Sequence, residues 1–122
     1  MALEAPELVA SCHCGRSRIT LARTPDYSCN CNCSLCTKTG FVGIYFSSEE
    51  LRIEGQFDSY VREDMSKPML KMQRCRYCGT ATHWTPLSEP PHKRMGVNAN
   101  LLEPGALRGV AVRKVNGRSW KR

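Results

Sequence analysis

The sequence has few aromatic residues and no long hydrophobic run. Aromatic side chains make up 7% of the 122 residues, and hydrophobic residues of all kinds make up 41%. The longest apolar stretch, Phe41 to Phe46, is far shorter than the roughly 18 residues that a membrane-spanning helix requires. A chain of this size fits one domain, and its modest core would gain from cross-links or metal ions. We therefore expect a soluble, single-domain protein with no membrane partner.

The N-terminus also lacks the features of a secretory signal. It has no basic start and no apolar stretch, and it carries Glu4 and Glu7, which are not typical of a signal peptide. We therefore expect a cytoplasmic protein. Disulfides are rare in the reducing cytosol, so the eight cysteines are better explained as metal ligands than as a disulfide framework.

No stretch of the sequence keeps a helical period over ten or more residues. Short alternating or apolar runs are separated instead by turn signals such as Glu54-Gly55, Pro104-Gly105 and Asn116-Gly117, a pattern that predicts a mainly β protein with little or no helix. We predict an N-terminal tail over residues 1–10 and a zinc-binding domain over residues 11–122. The predicted strands are 18–22, 41–47, 51–53, 58–62, 69–75, 80–85, 94–100 and 108–115.

One set of cysteines is split between two distant turns. Each half ends in a glycine, Gly15 or Gly79, which permits the positive φ that lets backbone N–H groups approach the sulfurs. Four thiolates from two such turns complete a closed tetrahedral site. The spacing therefore predicts a structural zinc ion. Its ligands are Cys12, Cys14, Cys75 and Cys78.

A second set lies within the segment SCNCNCSLC, residues 28–36. Sulfurs that share a zinc ion are about 3.8 Å apart, whereas Cys29 and Cys33 would be about 13 Å apart on a straight strand. One terminal cysteine should therefore be left out. Because Cys36 follows a turn and can fold back, Cys31, Cys33 and Cys36 are the economical choice.

Three protein ligands leave zinc one exchangeable position, as in catalytic zinc sites. A thiol that enters this position would lose its proton and become a nucleophile. The alternative is that Cys29 bends in as a fourth ligand and closes the site. Lys38, two residues after Cys36, is a candidate contact for a substrate carboxylate, whereas His13 would point away from the metal between Cys12 and Cys14.

In order and spacing, these motifs resemble the glutathione-dependent formaldehyde-activating family, whose domain also occurs in centromere protein V. The resemblance covers most of the chain. It rests on Ser11-Cys12-His13-Cys14-Gly15, Cys31-Asn32-Cys33-Ser34-Leu35-Cys36-Thr37-Lys38-Thr39-Gly40, Cys75-Arg76-Tyr77-Cys78-Gly79-Thr80, Met95-Gly96-Val97-Asn98 and Leu101-Leu102.

The resemblance implies a β-tent type of fold and two zinc ions per chain. A structural zinc would lie on Cys12, Cys14, Cys75 and Cys78, and a catalytic zinc on Cys31, Cys33 and Cys36. It also implies carbon–sulfur lyase activity on S-(hydroxymethyl)glutathione, with glutathione and formaldehyde as partners. Cys29 is outside the family's core motif. The proton-transfer group, the physiological thiol and aldehyde, and the oligomeric state are not indicated by the sequence.

A different class of function is a non-catalytic module with two zinc ions that binds a protein or a nucleic acid. The formal charge of +7 would suit an acidic partner. However, several arginines lie beside cysteines, where they offset thiolate charge. Basic residues form no stripe and aromatic residues are few, so stacking on bases has little support. We therefore do not expect a nucleic-acid partner.

Overall fold

The computed structural model describes residues 8–87 and 94–119. Within these ranges the chain forms ten β-strands, one α-helix and three short 3-10 helices, so the prediction of a mainly β fold is confirmed. No helix in this part of the chain is long and apolar enough to span a membrane. The strands are β1 (Leu8–Ser11), β2 (Arg18–Leu21), β3 (Tyr27–Cys31), β4 (Gly43–Ser47), β5 (Leu51–Glu54), β6 (Phe57–Val61), β7 (Leu70–Cys75), β8 (Ala81–Pro86), β9 (Arg94–Asn98) and β10 (Ala111–Val115). The helix α1 is Ser34–Thr39, and the 3-10 helices are Ser48–Glu50, Ala99–Leu101 and Gly117–Ser119.

The strands form two sheets. The small sheet has the order β1-β2-β5, and the large sheet has the order β10-β3-β4-β9-β8-β7-β6. All pairs are antiparallel except β10 and β3, which run parallel. In that parallel pair Arg113 lies opposite Cys29 and Val115 lies opposite Cys31. The last strand therefore brings its side chains beside the cysteine-rich segment.

The main core lies between the two sheets. Alternate residues of β2 and β4 point inward, as expected for strands with one buried face. Ile19, Leu21 and Ile44 are almost completely buried there. A second cluster, formed by Phe41, Met72 and Ala81, packs against Leu35 and Cys36 of helix α1. The first cluster consists of Ala10, Ile19, Leu21, Ile44, Phe46, Val97 and Leu102.

Helix α1 is too short for its periodicity to be detected in the sequence. Its six residues begin after Cys33, whose side chain accepts a hydrogen bond from the N–H of Cys36 as an N-cap, and the helix ends at Gly40 in the left-handed conformation. Ser, Thr, Asp and Asn are the usual N-cap residues. Because a cysteine takes this position here, the usual signal for the start of a helix is absent.

Each predicted strand corresponds to an observed strand, with some different ends. The strand predicted over 94–100 ends at Asn98, and the one predicted over 108–115 begins at Ala111, after a series of turns. Strands β1 and β3 were not predicted, and β1 includes residues 8–10 of the predicted tail. An Asn-Gly pair is typical of a tight β-hairpin turn, but Asn116-Gly117 leads into a 3-10 helix instead. The boundary between tail and domain stays a prediction.

Candidate metal centres and the cavity beside them

The split cysteine set comes together where the two sheets meet. Cys12 and Cys14 lie between β1 and β2, Cys75 ends β7, and Cys78 lies in the turn before β8. All four Sγ atoms lie within 4.8 Å of one another. The Sγ of Cys14 is 3.6 Å from that of Cys12 and 3.7 Å from that of Cys75. This group, the four-thiol centre, joins the small sheet to the large one.

Hydrogen bonds prepare some of these sulfurs to carry negative charge. The N–H of Ser17 lies 3.3 Å from the Sγ of Cys12, and the Thr80 hydroxyl lies 3.2 Å from the Sγ of Cys78. The hydrogen bond from Thr80 is the main cause that lowers the pKa of Cys78 to about 5. For Cys14, the N–H of Arg16 acts to lower the pKa, but burial and the neighbouring thiols together raise it to about 11. The opposite shifts of Cys14 and Cys78 are expected where negative charge accumulates without a cation.

The four-thiol centre fits a soft divalent cation such as zinc. Two like charges about 4 Å apart repel each other by about 4 kcal/mol at an effective dielectric constant of about 20, and a bound dication reverses this repulsion. The buried Ser17 hydroxyl makes no regular hydrogen bond among the described residues, yet it lies close enough to Cys75 to lower the pKa of that thiol. A donor directed at a sulfur suits a thiolate that ligates a metal.

The local set forms a second group, the three-thiol centre. Cys31 ends β3, Cys33 is the N-cap of α1, and Cys36 lies within that helix. Their Sγ atoms also lie within 4.8 Å of one another. The N–H of Cys33 donates to the Sγ of Cys31 over 3.5 Å, and the N–H of Cys36 donates to the Sγ of Cys33 over 3.4 Å. The hydrogen bond that caps helix α1 therefore also fixes the position of the Cys33 sulfur.

A buried arginine lies against the three-thiol centre. Arg62 is 5% exposed, and its Nη1 is 3.9 Å from the Sγ of Cys33. Its Nε and Nη2 donate to the two carboxylate oxygens of Asp64, each over 2.7 Å, and Ser34 donates to the same carboxylate over 3.2 Å. Burial acts to raise the pKa of Cys33, but the N–H of Cys36, the adjacent thiols and Arg62 outweigh it and lower the pKa.

The other two thiols of this centre are less ready to ionise by themselves. Burial, followed by the charge of Cys33, raises the pKa of Cys36, and burial is also the main cause that raises the pKa of Cys31. One readily ionised thiol beside two protonated ones is the pattern expected when negative charge accumulates without a counter-ion. The soft donor set fits zinc here as well.

The remaining candidate ligands are placed differently. Cys29 is buried, but its sulfur does not belong to the three-thiol centre and thus lies more than 4.8 Å from at least one of its sulfurs. Lys38 is exposed near the end of α1 and is not among the residues that line the adjacent cavity. His13 is exposed and is in neither sulfur group. All eight cysteines are free thiols.

The three-thiol centre opens onto a cavity of about 410 Å³. One part of its wall is apolar, with Leu35, Phe41 and Met72 among the lining residues, and Cys29 also lines it. The cavity is also lined by tyrosines and arginines, namely Tyr27, Tyr45, Arg62, Arg94 and Arg113. Burial is the main cause that raises the pKa of Tyr45, and the neighbouring Cys29 thiol adds to the effect. The cavity is large enough for a small organic molecule beside the sulfurs.

The segment after β10 covers the other side of the three-thiol centre. A Cβ added at Gly117 would lie 2.6 Å from the Sγ of Cys31 and 2.8 Å from the Cβ of Cys33. Asn32 holds this segment in place: its Nδ2 donates to Asn116 over 3.0 Å, and its Oδ1 accepts from the N–H of Arg118 over 3.0 Å. Gly117 is therefore required for close approach and not for a positive φ.

Arg62, Tyr45, Arg94, Arg113 and Gly117 were not predicted as site residues from the sequence. Arg62 reaches the centre from the end of β6, and Arg94 and Arg113 reach the cavity from β9 and β10. Only the Asn116-Gly117 pair carried a local signal, and it suggested a hairpin. The pairing of distant strands, which the sequence pattern does not reveal, makes these residues neighbours.

The fold and the site define a small β protein with two separate cysteine centres, one joining its sheets and one facing a cavity. The chain belongs to the family described as glutathione-dependent formaldehyde-activating enzyme, whose model matches residues 7–113. It is also similar to the crystal structure of a Rhodobacter sphaeroides protein that was a structural genomics target. The TM-score is 0.63 at 26% identity, and the match covers 86% of this chain and 98% of that one. The comparison with curated proteins found no match.

Proposed function

We propose that this protein forms or cleaves the carbon–sulfur bond of a thiol–aldehyde adduct, and that S-(hydroxymethyl)glutathione is the first adduct to test. The observation that carries the proposal is the three-thiol centre facing a cavity of about 410 Å³, with Cys29 outside the group. Membership of the formaldehyde-activating family supports the choice of substrate. In the forward direction the thiol sulfur bonds to the aldehyde carbon, and the thiol proton ends on the aldehyde oxygen.

Each cysteine centre would hold one zinc ion. Cys12, Cys14, Cys75 and Cys78 would ligate a structural ion, and Cys31, Cys33 and Cys36 would ligate a second ion that keeps a position for a substrate. A zinc ion in the second site would favour the thiolate form of a bound thiol at neutral pH. Free thiols and zinc–thiolate sites both suit a reducing compartment, so we propose a cytoplasmic location.

The side chains around the cavity supply the remaining functions. Arg62 places a positive charge 3.9 Å from the Sγ of Cys33 and so offsets part of the negative charge of the thiols. Because burial raises the pKa of Tyr45, its hydroxyl stays protonated and can donate a hydrogen bond to an aldehyde oxygen in the cavity. The apolar wall, which includes Phe41 and Met72, limits the access of water to the reacting atoms.

Exchange NMR with ¹³C-formaldehyde and glutathione tests the proposal, since the addition also proceeds without a catalyst and the rate constant must be compared with the background. We expect the zinc-loaded protein to accelerate the exchange and the Cys31→Ser variant to lose most of the acceleration. An Arg18→Gln variant, altered at an exposed position of β2, should remain active. Absence of acceleration in a protein with two tightly held zinc ions would instead support the non-catalytic binding module.

A further inference from the structure

Two arginines of the cavity wall are held against tyrosine rings. The Cζ of Arg113 lies 3.9 Å from the ring centroid of Tyr27, and the Cζ of Arg94 lies 4.1 Å from that of Tyr45. The Nη2 of Arg94 also donates to the Tyr27 hydroxyl over 3.2 Å. Stacking of this kind orients a guanidinium group and leaves in-plane N–H groups for an acceptor. Both arginines line the cavity that contains the three-thiol centre.

The two positive charges lie against one tyrosine, and in the described part of the chain neither takes part in an ion pair. Both guanidinium groups contact Tyr27, one on its face and one at its hydroxyl. Among residues 8–87 and 94–119, the ion pairs involve Arg23, Arg52, Arg62 and Arg76 and neither of these two arginines. Like charges held together repel each other. An anion bound between them would remove this repulsion and accept charge-assisted hydrogen bonds from both.

The strand register places the backbone of Arg113 close to the cysteine-rich segment. Arg113 lies opposite Cys29, and two residues further along the parallel pair Val115 lies opposite Cys31. Residues two positions apart on a strand point to the same face and are separated by about 6.6 Å. The arginines and the cysteines of the three-thiol centre line one cavity, so a single ligand with a carboxylate and a sulfur, such as a cysteine-containing peptide, can face both.

We propose that Arg94 and Arg113 bind a carboxylate of the thiol substrate and thereby select anionic thiols over neutral and cationic ones. The identification of the ligand as a thiol rests on the proposed function. The placement of the anion rests on the arginine and tyrosine geometry. The aromatic support fixes both guanidinium groups before the ligand binds, which reduces the ordering cost of binding. In this arrangement the arginines determine which thiol reaches the three-thiol centre.

Titration calorimetry with S-methylglutathione tests this assignment on the zinc-loaded protein. This thioether keeps both carboxylates of glutathione but has no thiol to ionise, so its affinity reports on anion recognition separately from thiolate formation. We expect Arg94→Gln and Arg113→Gln each to weaken its binding by about tenfold or more. Arg94→Lys and Arg113→Lys should keep part of the affinity because the charge remains. Arg18→Gln, a matched change of an exposed arginine on the small sheet, should have no effect.

The dimethyl ester of S-methylglutathione is the second ligand, and we expect it to bind weakly to every variant. The inference is overturned if the unmodified protein shows no binding of S-methylglutathione, if both glutamine variants bind it normally, or if the ester binds as well as the acid. Exchange NMR on the same samples separates the two proposals. Acceleration without dependence on the arginines refutes only this inference, whereas arginine-dependent binding without acceleration refutes the lyase function and leaves the anion site standing.

Discussion

Gly117 offers a direct way to disturb the three-thiol centre while leaving the four-thiol centre unchanged. The methyl group of a Gly117→Ala variant would lie 2.6 Å from the Sγ of Cys31 and 2.8 Å from the Cβ of Cys33. Non-bonded carbon and sulfur atoms normally remain about 3.5 Å or more apart, so the sulfur or the covering segment must move by about 1 Å. Neither can move easily, because Asn32 ties this segment to the cysteine loop.

The cost of such overpacking is about 1–3 kcal/mol. If the clash destabilises the metal-loaded protein but not the metal-free protein, the affinity for zinc at the three-thiol centre falls by about 5- to 150-fold. Competition with a chromophoric chelator measures this change, since the two centres should release zinc in separate phases. We expect Gly117→Ala to release one ion more readily and the other at the normal rate.

A matched variant separates this clash from the general effect of replacing glycine. Gly109 has a positive φ of 84°, and a Cβ added there would meet no atom within 4 Å. Gly109→Ala therefore introduces backbone strain without contact with either cysteine centre, and it should lower stability while both phases of zinc release stay normal. The reasoning is refuted if Gly117→Ala leaves both phases unchanged, or if the two variants alter zinc release equally.

Three further predictions concern other parts of the molecule. Replacement of Arg62 by Gln removes both 2.7 Å hydrogen bonds to Asp64. We expect stability to fall by about 2 kcal/mol, less than for a fully buried ion pair, because the Asp64 side chain is 39% exposed. The cobalt-substituted variant should also show a shifted thiolate charge-transfer band, and an unshifted band would contradict contact between Arg62 and the metal centre. Cys29→Ser should retain two zinc ions per chain by metal analysis, because the Cys29 sulfur is outside the three-thiol centre; loss of one ion would show that Cys29 is a ligand. Burial lowers the pKa of His83 from 6.5 to about 4. Between these pH values the imidazole is therefore protonated in the unfolded state but neutral in the folded state, and the free energy of unfolding decreases as the pH falls through this range. His83 should account for roughly 2 kcal/mol of the loss between pH 7 and pH 5, and denaturant titrations should find a weaker pH dependence in His83→Gln; an identical dependence would contradict this account.

The spacing of the cysteines alone indicated which sulfurs meet. The two C-x-C or C-x-x-C turns that end in Gly15 and Gly79 form the four-thiol centre, and both glycines adopt the positive φ that this turn requires. The distance argument also grouped Cys31, Cys33 and Cys36 and left Cys29 aside, and the structure brings the same three sulfurs together. The grouping of the sulfurs is predictable because it depends on local chain geometry and on the short sulfur–sulfur distances that a shared metal ion would require; their role as ligands stays a prediction.

Sequence patterns could not reveal the wall of the cavity. Arg94 and Arg113 reach it from β9 and β10, which are far along the chain from the cysteine-rich segment, and β10 lies at the edge of the large sheet in a parallel pair with β3. Short strands with mixed composition give no information about such pairing. The expectation that Lys38 contacts a substrate rested only on its nearness to the cysteines in sequence; Lys38 is exposed and is not among the residues that line the cavity, and its role stays a prediction.

The two cysteine centres differ in how much of the fold depends on each. The four-thiol centre bridges Cys14 and Cys75, which are 61 residues apart, whereas Cys31 and Cys36 of the three-thiol centre are only five residues apart. By the scaling of loop closure with length, the ordering cost of the long bridge is about 2 kcal/mol greater. We therefore expect an ion at the four-thiol centre to stabilise the packing of the two sheets, which also share the main core. The local centre is also supported by the cap of helix α1 and by Asn32, so we expect the fold to tolerate exchange of a ligand there. This is the physical reason why the proposed function assigns the exchangeable metal position to the local centre.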